Sequence, residues 1–424
     1  MKKVLAFAMA LVMLACCSLA AAEGRVKTPA GQIEGGPKVY FVIESAFFKA
    51  DSDIIIIGQK GNEYYKRYDQ PVATTKVDDD LLVPVDALSK IFQFTYEYDA
   101  ATGAIHLEDE FVKADLAIGS KDVTINGAAD TLGAAPAEVE GILCVPAVSV
   151  GTKVFELVTG ESLGYTYLSY VETELPAGST GNSGKITQLT MPGKIYGIIE
   201  PVYWFEEAQM LMPYRATIPT SYDPEVPNGL VVFLHGGSGN DNRDVERATV
   251  YGGESGYLWD FVMDKYGFIG LSVNAYCQGD YGSKANNSNP ATARASVLCE
   301  HEVLAAIEQI KQKYNIDESR IFLMGNSMGG LGTLWMACDY PELFAGISPS
   351  PGFNPTRDLS VLGDTPIRVV PSTEDKGYNT ALANYKLWKE KGLNITFRGV
   401  CGGAHSIGWS EVLDETIAFF ASVK

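Results

Sequence analysis

The chain has 424 residues, enough for two domains or one large one, and its 46% apolar and 20% charged residues are typical of a folded protein. Its formal net charge of −19 argues against nucleic acid and anionic membrane surfaces as partners. The seven cysteines are sparse and include no C-x-x-C pair, which argues against a disulfide scaffold and a thiolate zinc site.

The first residues have the pattern of a secretory signal peptide. Two lysines precede an apolar segment that is too short to span a bilayer, and residues 20–22 fit an A-x-A cleavage site. We therefore predict a signal peptide at 1–22 and secretion from a bacterial cell. An imperfect lipobox at 13–16 leaves lipid anchoring at Cys16 as the less favoured alternative. No later segment is predicted to cross a membrane.

Residues 37–172 are predicted to form an accessory domain that contains an internal repeat. The segment L-L-V-P-V-D-A-L at 81–88 returns as I-L-C-V-P-A-V at 142–148. Each copy predicts a strand that ends in Val-Pro, followed by a short helix, because the first turn of a helix does not need the N–H that proline lacks. We therefore expect a small α+β domain.

This repeat, together with F-x-Y-x-Y-D at 94–99 and T-I-N-G at 124–127, resembles the copper amine oxidase N-terminal-like domain. The resemblance covers roughly residues 50–160 and implies a small module for attachment, spacing or contact with cell wall or polysaccharide. It implies no copper chemistry here, because the region has a single histidine, His106, and a single cysteine, Cys144. We predict no metal and no cofactor.

The remainder of the chain is predicted to be a linker followed by an α/β domain. Residues 173–184 are rich in Gly, Ser and Thr, which indicates a flexible linker. From 185 to 424 strands and helices alternate, the pattern of a mostly parallel sheet with helices on both faces. Its main strands are expected at 230–234, 268–273, 321–324, 345–348, 367–370 and 395–400.

The segment G-N-S-M-G at 325–329 lies between a predicted strand and a predicted helix, which is the pattern of a nucleophile elbow. The turn is so tight that Ser327 must adopt a strained backbone conformation. Side chains at Gly325 and Gly329 would collide with neighbouring backbone. Ser327 would then stand at the end of the sheet, near a helix N-terminus whose N–H groups stabilise negative charge.

A glycine-rich loop, H-G-G-S-G at 235–239, follows an earlier strand and predicts an oxyanion hole. Attack on a carbonyl creates an oxyanion, which requires N–H donors that are already in place. Glycines at a strand end present such donors without obstruction. We predict the N–H of Met328 as one donor and that of Gly237 or Gly236 as the other.

A serine nucleophile needs a base, and the chain has four histidines. His106 belongs to the other domain, His301 lies mid-helix, and His235 belongs to the glycine-rich loop. His405 follows the last predicted strand, where the base is needed, and is therefore the predicted base for Ser327. A carboxylate must orient this base, and the two adjacent acids at 374–375, after the strand that ends at 370, are both candidates.

The C-terminal half resembles the secreted α/β-hydrolase esterases, which include feruloyl and acetylxylan esterases and the polyhydroxybutyrate-depolymerase-like group, with dipeptidyl-type peptidases as more distant relatives. The resemblance covers about 210–424 and implies the α/β-hydrolase fold and cleavage of an ester without a cofactor. It is carried by Y-R-A-T-I-P-T-S-Y-D, V-V-F-L-H-G-G-S-G, I-D-E-S-R-I-F-L-M-G-N-S-M-G-G and Y-P-E-L-F-A-G-I-S-P.

The same resemblance favours Asp375 over Glu374 as the acid. Related enzymes have G-x-x-D after this strand, and here Ser372 stands at the Gly position. The order Ser327, Asp375, His405 along the chain is that of α/β-hydrolases.

We therefore predict a secreted serine esterase that acts on a small-molecule ester or on acyl groups of plant polysaccharide. A serine peptidase and a non-catalytic surface-binding protein remain the alternatives, since fold alone does not determine function. Tyr276, Tyr281 and Trp409 flank the predicted catalytic edge and are equally candidates for substrate contact and for packing. A disulfide between Cys277 and Cys401 is left open.

Overall fold

The computed structural model describes most of the chain in two units. The described residues are 32–37, 42–59, 65–171, 173, 188–190, 194–196, 201–237, 255–275, 280–402, 405 and 408–423. The predicted signal peptide with Cys16 and, apart from Thr173, the predicted linker lie outside them. Unit 1 comprises Met1–Ala30 and Phe41–Trp204, and unit 2 comprises Gly31–Tyr40 and Phe205–Lys424. The predicted domain boundaries at 37–172 and 185–424 stay predictions.

Unit 1 is built from strands in three antiparallel sheets, with orders β13-β14-β1-β2-β3, β10-β9-β8-β7-β6 and β11-β12-β5-β4, and a ribbon of β15 and β16. The strands are β1 (Ile43–Phe48), β2 (Ile54–Gln59), β3 (Tyr65–Asp69), β4 (Thr75–Val77), β5 (Asp80–Pro84), β6 (Thr95–Asp99), β7 (Ala104–Glu108), β8 (Lys113–Ala117), β9 (Asp122–Ile125), β10 (Ala128–Thr131), β11 (Ala137–Val139), β12 (Ile142–Pro146), β13 (Val158–Ser162), β14 (Tyr165–Ser169), β15 (Gln188–Thr190) and β16 (Lys194–Tyr196).

Helical structure in the described part of unit 1 is limited. It consists of α1 (Val85–Phe92) and of α2 (Ala147–Ser149), which continues into a π-helical turn at Val150–Val154. The predicted α+β character is corrected in this respect, since this unit is β-rich. The physical reason is the period of burial: β7 and β8 alternate buried and more exposed residues, as half-buried strands do.

The two copies of the sequence repeat lie side by side. β5 and β12 are antiparallel neighbours, with Val83 opposite Val145, and each leads directly into its helix. The buried carboxylate of Asp80, at the start of the first copy, accepts hydrogen bonds from the N–H groups of Val148 (2.8 Å) and Ser149 (2.9 Å) in the second copy's helix. A carboxylate is stabilised there by the partial positive charge of the helix N-terminus.

An eight-stranded sheet has the order β17-β18-β20-β19-β21-β22-β23-β24, and its strands from β18 onward belong to unit 2. β18 is antiparallel to β20, whereas the strands from β20 to β24 run parallel, so the sheet is mixed at one edge and parallel through its centre. All six predicted strands occur in the parallel part. The strands are β17 (Val202–Phe205), in which the two units meet along the chain, β18 (Met210–Thr217), β19 (Asn228–Leu234), β20 (Ile269–Val273), β21 (Ile316–Gly325), β22 (Gly346–Pro349), β23 (Ile367–Val369) and β24 (Ile395–Phe397).

Helices pack on both faces of this sheet. On one face, Trp259 of α3 and Phe420 of α8 form one hydrophobic core with Val231 and Phe233 of β19. Val232 points to the opposite face because side chains alternate along a strand, and it is also fully buried, where α4 and α5 contact the sheet. The helices are α3 (Ser255–Tyr266), α4 (Pro290–Lys313), α5 (Met328–Asp339), α6 (Tyr378–Glu390), α7 (Gly408–Glu411) and α8 (Leu413–Ser422).

Short 3-10 turns lie at Glu206–Ala208, Asp280–Gly282 and Leu359–Leu362. Across the residues that the structure describes, no helix is both long and apolar enough to span a membrane.

Candidate active site

The elbow lies between β21, which ends at Gly325, and α5, which begins at Met328. Ser327 has φ 54° and ψ −109°, a backbone conformation that is strained for any residue with a side chain. A Cβ added to Gly325 would lie 2.3 Å from the carbonyl oxygen of Gly329, and one added to Gly329 would lie 1.9 Å from that of Leu234. Both positions therefore require glycine, and the backbone has the shape that the motif predicts.

The elbow brings Ser327 to the histidine predicted as its base. Ser327 Oγ lies 2.7 Å from His405 Nε2, and His405 Nδ1 is hydrogen-bonded to Asp375 Oδ2. A carboxylate only accepts hydrogen bonds, so the proton of a neutral imidazole is on Nδ1 and Nε2 is free to accept the hydroxyl proton. The Asp375 side chain is 3% exposed, and its second oxygen accepts the N–H of Gly377 at 2.5 Å.

Backbone contacts between two neighbouring loops fix the acid relative to the histidine. Thr373 N–H donates to Val400 O at 2.8 Å, and Val400 N–H donates to Pro371 O at 3.0 Å, so the segments that follow β23 and β24 continue side by side. Asp375 follows the segment after β23, and His405 follows the segment after β24. Glu374, the alternative acid, is exposed, and the carboxylate that contacts the imidazole is that of Asp375.

The glycine-rich loop after β19 lies against the elbow. A Cβ on Gly236 would lie 3.4 Å from Ser327 Cβ, and one on Gly237 would lie 3.5 Å from Met328 Cβ. Met328 is the first residue of α5, and the first N–H groups of a helix have no partner within the helix. The two predicted oxyanion donors therefore lie on neighbouring segments beside the nucleophile.

The described aromatic residues predicted to contact substrate are buried. Tyr281 is 0% exposed; its ring packs edge-on against His235 at 5.8 Å and against the position of Gly332. Trp409 is 1% exposed and packs on Phe233, with ring centroids 4.6 Å apart. Both rings pack against other side chains, which is one of the two alternatives that the sequence left open, and contact with substrate stays a prediction. Tyr276 lies outside the described residues.

The other three histidines contact groups other than Ser327. His106 is bonded to Asp115, and His301 Nδ1 lies 2.6 Å from Glu207 Oε2. Both ring nitrogens of buried His235 contact backbone carbonyl oxygens, at 2.9 Å and 2.7 Å. Within the described ranges, no cluster of His, Cys, Asp and Glu is arranged to hold a metal ion.

The sequence left open a disulfide between Cys277 and Cys401, and Cys401 is not bonded in this structure. This residue is an exposed free thiol, and Cys277 lies outside the described residues.

Ser350, which directly follows β22, was not identified from the sequence. Its N–H donates to Gly325 O at 2.9 Å, and its carbonyl accepts the N–H of Ser327 at 3.2 Å. It therefore holds the backbone on both sides of Asn326. No motif marks it; the signal is its position at the end of the strand next to the elbow.

Two family models match separate parts of the chain. Residues 60–159 match the model described as "Copper amine oxidase N-terminal domain", and residues 209–396 match the model described as "Putative esterase". Unit 2 carries an esterase-family region. This region includes Ser327 and Asp375 and ends before His405. Both predicted resemblances are confirmed.

A curated relative and several solved structures are similar to part of this chain. The chain is 32% identical over 155 residues to a poly(3-hydroxybutyrate) depolymerase of Ralstonia pickettii, a match that spans 34% of this chain and only 30% of the relative.

A thermostable esterase structure is 25% identical with TM-score 0.42, and covers 52% of this chain and 61% of its own. A feruloyl esterase module from Clostridium thermocellum, complexed with sinapinate, is 14% identical with TM-score 0.40, and covers 53% and 88%.

Proposed function

We propose that this protein is a serine esterase that hydrolyses carboxylic esters through an acyl-enzyme on Ser327. One contact carries the proposal: Ser327 Oγ lies 2.7 Å from the Nε2 of a histidine whose Nδ1 is bonded to a buried aspartate. A nucleophile, a base within hydrogen-bond reach and an orienting carboxylate are what acyl transfer requires. The esterase-family match supports the choice of ester as the bond that is cleaved.

In the proposed reaction His405 Nε2 takes the Ser327 proton as Oγ attacks the ester carbonyl. The tetrahedral oxyanion is stabilised by the N–H groups of Met328 and Gly237, with Gly236 as the alternative second donor. His405 then gives its proton to the departing alcohol, which leaves the acyl group on Ser327. Water, deprotonated by His405, releases the acid and regenerates the hydroxyl. Asp375 keeps the imidazole in the required tautomer throughout.

The proposal includes the α/β-hydrolase fold for unit 2. Support comes from the parallel strands β20 to β24, from helices on both faces, and from nucleophile, acid and base that follow β21, β23 and β24 in that order. This is the chain order of that fold.

The setting of the enzyme is also part of the proposal. We infer secretion from the signal-peptide pattern of residues 1–22, with a role for the copper amine oxidase N-terminal-like domain in contact with cell wall or polysaccharide. Small-molecule esters and acyl groups on plant polysaccharide are the proposed substrate classes, as the resemblance in sequence implies.

The test is hydrolysis of para-nitrophenyl acetate, para-nitrophenyl butyrate and methyl ferulate by the wild type and by Ser327→Ala. We expect turnover by the wild type and a loss of at least about 10³-fold in kcat for the variant, because the nucleophile is removed. Circular dichroism of both proteins controls for folding. The ranking of the three esters measures the preferred acyl group.

A folded wild type with no activity on any ester would contradict the esterase proposal. Peptide substrates would then be assayed, and failure there would favour a non-catalytic binding protein.

A further inference from the structure

The three proposed catalytic residues follow strands that are not all neighbours. Ser327 follows β21, whereas Asp375 follows β23, and β22 lies between these two strands. Neighbouring strands are about 4.8 Å apart, so the acid side of the site is about 10 Å from the nucleophile strand. The separation between nucleophile and acid therefore depends on how β22 is attached on its two sides.

The attachment of β22 to the nucleophile side is regular. Strands β21 and β22 pair as far as Gly325 and Pro349. The next residue, Ser350, bonds through its N–H and carbonyl to Gly325 and Ser327 as described above. The backbone of the nucleophile itself is thus bonded to Ser350.

The backbone pairing of β22 with β23, the strand that Asp375 follows, is short, and serine hydroxyl groups extend it. The backbone ladder pairs Ile347 with Ile367. Beyond that pair, Ser348 Oγ donates to Arg368 O at 2.9 Å, and Ser350 Oγ donates to Val370 O. Both serines are 1% exposed, so their hydroxyl groups donate inside the protein rather than to solvent.

We propose that Ser350 is a positioning residue that sets the distance between the nucleophile and the acid–base pair. Its three polar groups join the backbone around Ser327 to Val370, and the next residue, Pro371, is bonded to the segment that leads to His405. Ser350 does not touch the reacting atoms. It acts through Asp375 and His405, and the proposal rests on the function proposed above for these residues.

Ser348 provides a matched control. It has the same side chain, the same burial and the same type of bond to β23, but its bond to Arg368 O is two residues farther from the site. Loss of either hydroxyl removes a hydrogen bond to a backbone carbonyl, which is buried for Ser350 and part-buried for Ser348, so both alanine variants are expected to lower Tm, Ser350→Ala by at least as much as Ser348→Ala. Only the loss at Ser350 is expected to alter catalysis.

The experiment measures kcat and KM for para-nitrophenyl acetate well below the Tm of each variant. We expect Ser350→Ala to lower kcat about 10- to 100-fold, since small misplacements of catalytic groups have effects of this size, with KM changed less than about twofold. We expect Ser348→Ala to keep kcat within about twofold. Ser350→Thr, which keeps the hydroxyl, is expected to recover most of the rate.

A double-mutant cycle tests the route of the effect. In the Asp375→Asn background Ser350→Ala is expected to have little further effect, because the acid it positions has lost its function. Equal losses of kcat in the two serine variants, or an undiminished loss in the Asp375→Asn background, would overturn the proposal. If Ser350→Ala does not fold, Ser350→Cys keeps a similar side-chain shape with a weaker donor and is expected to lose kcat severalfold.

The reaction of Ser327 with a fluorophosphonate separates this inference from the esterase proposal. Its rate depends on the activated serine but not on the identity of the natural substrate. A wild type that reacts with the fluorophosphonate yet cleaves no ester would contradict only the esterase proposal, and the labelling rates of the variants would then replace kcat. A wild type that does neither would overturn both.

Discussion

Among the residues that the structure describes there are two histidine–aspartate pairs, one in each unit, and their differences show what makes such a pair suitable for catalysis. In unit 1, His106 Nδ1 lies 2.8 Å from Asp115, and in unit 2, His405 Nδ1 is bonded to Asp375. The Asp115 side chain is 70% exposed and the Asp375 side chain 3%. A buried carboxylate holds its imidazole in one orientation, whereas water competes with an exposed carboxylate for the hydrogen bond to the ring.

The second ring nitrogen differs as well. His106 Nε2 faces the carboxylate of Glu108 at 3.4 Å, whereas His405 Nε2 faces the hydroxyl of Ser327. The hydrogen bond to Asp115 raises the pKa of His106, and the bond to Glu108 adds to this effect, although desolvation partly opposes it. The raised pKa favours the charged form of the ring. A charged imidazole between two carboxylates has no hydroxyl to deprotonate. The His–Asp contact is therefore common to both sites, and the surroundings decide its use.

The largest expected difference between the two pairs is in activity. We expect Asp375→Asn to lower kcat for para-nitrophenyl acetate by about 10³- to 10⁴-fold, because an amide at this position favours the wrong tautomer of His405. Asp115→Asn is expected to leave kcat within about twofold.

Glu374→Gln is the matched control within the catalytic loop, since that carboxylate is adjacent but exposed. A large loss in Glu374→Gln with a small one in Asp375→Asn would reverse the assignment of the acid.

Burial of an aspartate does not by itself make it catalytic, as Asp80 shows. Its buried carboxylate accepts the N–H groups of Leu81, Val148 and Ser149, all within unit 1. We expect Asp80→Asn to destabilise unit 1 by about 2 kcal/mol, because an amide nitrogen replaces one accepting oxygen, without a change in kcat. Urea unfolding measures the loss. Exposed Asp79→Asn is the control, and equal stability of the two variants would contradict the role of Asp80.

A smaller effect concerns the backbone strain at Ser327. Ser327 faces His405 Nε2 as Glu108 faces His106 Nε2, but only Ser327 has a positive φ. We expect Ser327→Gly to be more stable than Ser327→Ala by about 1 kcal/mol, because glycine tolerates φ 54° and alanine does not. Both variants lack the hydroxyl, so the comparison isolates backbone strain. Thermal unfolding of the two proteins provides the measurement. A less stable glycine variant would show that the elbow is unstrained.

The smallest effect is the pH dependence of stability from His106. Because folding raises its pKa, its contribution is fully present below the unfolded value and is lost as pH rises through the folded value. Relative to His106→Gln, the wild type is therefore expected to lose about 0.5 kcal/mol or less between pH 6 and pH 9, as for an exposed pair. A gain of relative stability over that range would contradict the assignment.

Local patterns were the most predictable part of the fold. G-x-S-x-G between a strand and a helix predicted the backbone of the elbow, because steric limits on Gly325 and Gly329 act over a few residues. The T-I-N-G segment forms the turn between β9 and β10, with φ 49° at Asn126 and 83° at Gly127. The two Val-Pro segments each end a strand and begin a helix, as the sequence indicated.

Contacts between distant segments that no motif marks were not predictable. The burial of Tyr281 and Trp409 depends on which elements pack over them, and aromatic residues suit both packing and binding. Ser350 has no sequence motif, since its role follows from the order of β21, β22 and β23 in the sheet. The β-rich character of unit 1 was underestimated because its strands are short and separated by turns that resemble loops. The roles of the catalytic residues remain proposals for the assays above.

The pairing of β5 with β12 has a consequence for self-association. Each copy of the repeat covers the hydrogen-bonding edge of the other, so one chain supplies both halves of the central pair. A chain with a single copy would leave that edge open, and open edges pair with other molecules. Because both copies lie in one chain, that edge is already paired and is not available to another molecule.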